Sequence, residues 1–112
     1  MLVENKILPK EISNLYDDLI DNCYQKISSK EKKIIYQSLV IAYNGHDGQI
    51  RKSGEPYIHH PIEVARIVAK DIGLDYVSIA SALLHDVVED TDITLEDLNE
   101  SVGKEISIIV DG

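Results

Sequence analysis

Ile79-Ala80-Ser81-Ala82-Leu83-Leu84-His85-Asp86-Val87-Val88-Glu89-Asp90-Thr91 is an apolar helical run interrupted by a charged cluster. At about 100° per residue, positions 85, 86, 89 and 90 fall within roughly 140° of arc, which predicts one face of one helix bearing an imidazole and three carboxylates. His60, at the start of another predicted helix, offers a second imidazole. Unpaired carboxylates taken out of water cost on the order of several kcal/mol each and repel one another, so the pattern calls for a cation or basic partners. Two neutral nitrogens and a hard oxygen suit Mn(II), Fe(II), Zn(II) or Ni(II) better than Ca(II), making His60, His85 and Asp86 the candidate ligands. Glu89 and Asp90 each follow a candidate ligand by four residues. A carboxylate there can orient or deprotonate a water that the ion has acidified. A lone histidine is more often a core or capping residue, and an acid pair at a helix end is often merely solvated; two histidines beside three acids favour the metal.

The surroundings bound the chemistry. With 112 residues and 44% hydrophobic content the chain is sized for one domain with a small core. A net charge of -9 argues against a general nucleic-acid or membrane-surface binder, so an anionic substrate needs a local basic patch or a metal. Arg51-Lys52-Ser53 is the densest positive charge near the histidines, a guanidinium, an ammonium and a hydroxyl that can grip phosphate or a planar base. By itself a basic dipeptide on a loop is ordinary. His46, Asp47 and His59 support the site or serve a turn or the surface, and Tyr43 and Tyr57 stack on a base or pack in the core; the sequence leaves each pair of readings open. The only cysteine, Cys23, cannot form an internal disulfide and reads as a small core residue in a reducing compartment. Met1 to Glu11 has no continuous hydrophobic run, so neither a signal peptide nor a membrane anchor is expected, and the cytoplasm is the expected location.

Strand-like alternation is nearly absent, and the fold class is all-α. The first predicted helix carries Ile12, Leu15, Tyr16, Leu19, Ile20 and Cys23 on one stripe. Ser28-Ser29-Lys30-Glu31 reads as a capping box opening a second helix that ends near Gly45. Gly45 to Pro61 is irregular, with a tight turn at Ser53-Gly54-Glu55-Pro56. Pro61 is expected as the first residue of a third helix, which puts His60 in extended backbone ahead of it, and Gly73 is its stop. Asp75 caps a fourth, most buried helix that continues into the charged cluster; Thr94 caps a fifth that stops at Gly103. The last segment leaves Ile106, Ile109 and Val110 uncovered, which predicts self-association or a mobile C-terminus.

Ala42-Tyr43-Asn44-Gly45-His46-Asp47-Gly48-Gln49-Ile50-Arg51-Lys52-Ser53-Gly54-Glu55-Pro56-Tyr57-Ile58-His59-His60-Pro61, together with Ala82-Leu83-Leu84-His85-Asp86-Val87-Val88-Glu89-Asp90-Thr91, resembles the hydrolase half of the RelA/SpoT homologues, alarmone enzymes of the HD superfamily. The resemblance runs from about residue 35 to the closing Val110-Asp111-Gly112. It implies an HD-domain helical bundle that removes pyrophosphate from the 3′ position of (p)ppGpp with Mn(II), giving GDP or GTP. It also implies roles: His60, His85 and Asp86 as metal ligands, Glu89 and Asp90 beside the attacked phosphorus, Arg51, Lys52 and Ser53 along the guanine-nucleotide pocket. The family's fourth ligand, an aspartate on a later helix, and an asparagine for the nucleotide lie past Gly112. The expectation is therefore an incomplete bundle, a helical leader over 1–28 and a motif-bearing core over 29–112, forming the N-terminal portion of a longer bifunctional synthetase/hydrolase. Weak metal occupancy and little or no turnover by these residues alone are expected. Two other readings stay in view: a non-catalytic nucleotide-binding or regulatory module, and an HD phosphohydrolase for another nucleotide.

Overall fold

Helix α1 (Lys10–Asp21) opens the computed structural model, which describes residues 8–112. Residues 1–7 of the expected leader lie outside the described residues. α1 buries Ile12 and Leu19, as its stripe predicts, and is tied to the third helix by Asp18 and Arg66 at 3.2 Å. Cys23 falls just past the helix end, where its thiol donates to the Leu19 carbonyl at 3.3 Å. Burial pushes that thiol above the ordinary cysteine range, which makes it a poor nucleophile and agrees with a packing role.

The capping box forms: the Glu31 N–H donates to Ser28 Oγ at 3.2 Å and the Ser28 N–H to Glu31 Oε1 at 2.9 Å. It starts α2 (Ser29–Gly45), whose inner face buries Ile35, Leu39 and Ala42. α3 (His59–Arg66) begins two residues before Pro61, so His60 lies in the first helical turn and not in extended backbone. The steric bias of a following proline is overridden because the His59 and His60 N–H groups close tight turns onto the Pro56 and Tyr57 carbonyls. Pro61 costs nothing there, since first-turn N–H groups have no helical acceptor. A π-helical stretch, Ile67–Ile72, continues α3 and stops at Gly73, whose φ of +76° is the left-handed conformation that glycine adopts without strain.

Asp75 caps α4 (Tyr76–Leu84) by accepting from the Ser78 N–H. Ile79, Ala80, Leu83 and Leu84 are fully buried, and α2, α3 and α7 (Lys104–Asp111) pack around them, so α4 is the central helix. The expected single helix through Asp90 is not formed. α4 ends at Leu84, His85 and Asp86 make a turn, and a separate four-residue helix, α5 (Val87–Asp90), follows. The His85 ring bonds the Ala82 carbonyl at 2.7 Å at the point where the backbone ladder stops.

Thr94 and Asp97 close a second capping box that starts α6 (Leu95–Val102), and Gly103 separates it from α7. Ile106, expected to be uncovered, is buried at 2% exposure because Ser107 bonds the Leu95 carbonyl and folds α7 onto α6. The exposed apolar positions of α7 are Ile108 and Ile109. Among the described residues there is no strand, only an isolated bridge between Ile50 and Pro56, and no helix is long and apolar enough to cross a membrane.

Candidate metal centre

The turn after α4 and the first turn of α3 bring His60, His85 and Asp86 together, with one donor atom from each lying within 4.8 Å of the others. The two imidazole centroids are 5.7 Å apart. A carbonyl oxygen can only accept, so the bond to Ala82 puts a proton on His85 Nδ1, and in the neutral ring Nε2 then carries the lone pair. That Nε2 stands 3.0 Å from Asp86 Oδ2, an ion pair when the ring is protonated and two donors for one cation when it is neutral. With the neutral ring, His85 Nε2, Asp86 Oδ2 and a nitrogen of His60 make a mixed nitrogen and oxygen donor set. The donor set therefore fits a divalent transition-metal ion.

Asp86 has a further partner that the sequence did not single out for this role. The Tyr57 hydroxyl donates to Asp86 Oδ2 at 2.5 Å, and burial first, then that carboxylate, push the phenol up to about 12. Tyr57 thus stays a donor at physiological pH and orients Asp86, while its ring packs edge-on to His60 at 5.7 Å. Nothing in sequence spacing marks a bond between residues 57 and 86; only the meeting of loop and turn creates it.

The sequence argument for a metal rested on three carboxylates sharing one helical face, and here the structure differs. Asp86 alone enters the close cluster. Glu89 and Asp90 sit on α5, both exposed to solvent, because the break at His85 and Asp86 ends the common helical face. What suits a cation is the meeting of His60, His85 and Asp86.

Arg51, Lys52 and Ser53 form the tip of a tight turn closed by the Gly54 N–H on the Arg51 carbonyl at 2.8 Å, two residues earlier than the Ser53–Pro56 turn expected. Arg51 N–H to Glu55 carbonyl and Tyr57 N–H to Gln49 carbonyl, both 2.9 Å, make the segment a small hairpin. All three tip residues are exposed, and with Ile50 and Tyr57 they line an open pocket of about 620 Å³. Tyr57 lines this pocket and also bonds Asp86, which makes the pocket and the metal cluster neighbours. His46 is buried and packs on Tyr57 with centroids 4.6 Å apart; His59 lies 3.7 Å from Glu11, away from the cluster.

The sequence profile described as HD domain matches residues 38–112. The guanosine-3′,5′-bis(diphosphate) 3′-pyrophosphohydrolase of Vibrio cholerae is 45% identical over 98 residues, covering 88% of this chain and 14% of that protein. The bifunctional (p)ppGpp synthase/hydrolase SpoT of Escherichia coli is 40% identical over the same length and shares. The chain belongs to the RelA/SpoT family of HD domains. A solved structure described as a metazoan ortholog of SpoT that hydrolyzes ppGpp superposes on this HD domain with a TM-score of 0.68 at 31% identity, covering 78% of this chain and 48% of the other. The HD domain spans about one seventh of the length of the curated relatives it matches.

Proposed function

We propose that this HD domain serves the metal-dependent hydrolysis of the 3′-diphosphate of (p)ppGpp in the cytoplasm, giving GDP or GTP and pyrophosphate, as part of a longer bifunctional synthetase/hydrolase. The observation that carries it is the His60, His85 and Asp86 cluster standing beside the basic turn. The names of the relatives supply the substrate. His60, His85 and Asp86 would hold Mn(II), and a divalent ion so held polarises a phosphate and lowers the pKa of water.

The remaining work falls to the chain's own side chains. Arg51 and Lys52 neutralise the diphosphate and, with Ser53, hold the nucleotide against the cluster. Glu89 and Asp90, whose carboxylates face solvent at the exposed end of α5, receive a proton from the attacking water. The water oxygen bonds the phosphorus next to the ribose, the 3′-oxygen–phosphorus bond breaks, and the 3′-oxygen leaves with a proton. Tyr57 keeps Asp86 oriented throughout.

Calorimetric titration of ppGpp with and without Mn(II), alongside pyrophosphate release, tests the reading. Binding is expected to require Mn(II) and to weaken at least about tenfold in His85→Ala. Equal affinity with and without the ion, indifferent to His85→Ala, would establish a non-catalytic binding module instead. Preferential hydrolysis of a deoxynucleoside triphosphate would overturn the substrate assignment.

A further inference from the structure

Gln49 and Tyr57 face each other across the base of the basic hairpin, joined by the bond from the Tyr57 N–H to the Gln49 carbonyl. Their side chains reach opposite ends of α5. Tyr57 donates to Asp86, just before the helix, and Gln49 Nε2 donates at 3.0 Å to the carbonyl of Asp90, its last residue. Because a carbonyl only accepts, the Gln49 amide is turned with Oε1 toward His46, which lies 3.0 Å away through Nδ1. His46 therefore carries its proton on Nδ1, donates to Gln49, and packs its buried ring on Tyr57. The contacts close a ring: Asp86, Tyr57, His46, Gln49, Asp90 and back through α5.

We propose that His46 and Gln49 are positioning residues that clamp the basic hairpin onto both ends of α5, fixing where Arg51, Lys52 and Ser53 stand relative to the metal cluster. The direction of control follows from burial. α5 is anchored in the core by Val87, which is fully buried, whereas every residue from Ile50 to Pro56 is exposed. When the clamp is released it is the hairpin that moves, so the substrate grip loosens and the cluster stays.

This inference rests on the hydrolytic reading for its kinetic arm only. NMR amide exchange on Gln49→Leu is expected to accelerate about tenfold at the Arg51 and Tyr57 amides, the loss of roughly one hydrogen bond, with the Leu83 and Leu84 amides of α4 unchanged. Steady-state kinetics of the longer bifunctional protein that carries this domain are expected to show KM for ppGpp raised about tenfold with kcat changed less than about threefold. Unchanged exchange at the hairpin overturns the clamp whatever the activity, and so does a kcat loss at constant KM. Accelerated hairpin exchange with no ppGpp hydrolysis by the longer bifunctional protein that carries this domain, variant or parent, leaves the clamp standing and removes the hydrolytic reading. Should Gln49→Leu lose protection in α4 as well, Gln49→Glu, which keeps the acceptor for His46 and removes only the donor to Asp90, is read by the same criteria.

Discussion

The His85 ring donates through Nδ1 to the Ala82 carbonyl where α4 ends, and Nε2 stands 3.0 Å from Asp86. The candidate ligand His85 thus sits at the end of its helix with Asp86 beside it. Around this pair the support is aromatic and short: Tyr57 reaches Asp86, and His46 lies on Tyr57. Tyr57→Phe keeps the ring contacts with His46 and His60 but removes the donor to Asp86. Mn(II) affinity, measured by loss of the free-ion EPR signal, is expected to fall about tenfold without a change in helical content. His85 and Asp86 were legible in the sequence as candidate ligands because an imidazole beside a carboxylate is unusual inside an apolar run. The role of Tyr57 was not, since a tyrosine 29 residues from its acceptor carries no local sign of the bond.

At the scale of elements, the termini were the best-read features. Ser28 with Glu31, Thr94 with Asp97, Asp75, Gly73 and Gly103 all act where their chemistry predicts, because a cap satisfies backbone groups within three or four residues. Thr94→Ala removes the acceptor for the Asp97 N–H, and urea unfolding is expected to show a loss of about 1 kcal/mol. The break between α4 and α5 escaped the helical periodicity. Periodicity counts apolar spacing, which Val87 and Val88 continue past the break, and carries no sign of where the backbone ladder stops. The four-residue α5 gains almost nothing from its own ladder, and its place is set by Val87 in the core and by its ties to the hairpin.

Over the whole molecule, α4 is the axis on which the site depends, since the helices that surround it include α2 and α3, and α3 delivers His60. Leu84 is fully buried immediately before His85. Leu84→Ala is expected to cost about 2–5 kcal/mol in denaturant melts through lost burial and the cavity left behind. On the outer side, Ile108 and Ile109 remain 59% and 48% exposed on α7. Light scattering is expected to show self-association that Ile108→Lys weakens, and a monodisperse monomer at all concentrations would refute it. Local chemistry in the sequence determined the helices, their caps and the ligand types, because those depend on neighbours along the chain and on the few residues that tolerate no bland explanation. That α5 is separate from α4, and where Gln49 and Tyr57 attach to it, were decided only by tertiary packing, because bonds between residues 41 or 29 positions apart exist only once the core has brought the loop and α5 together.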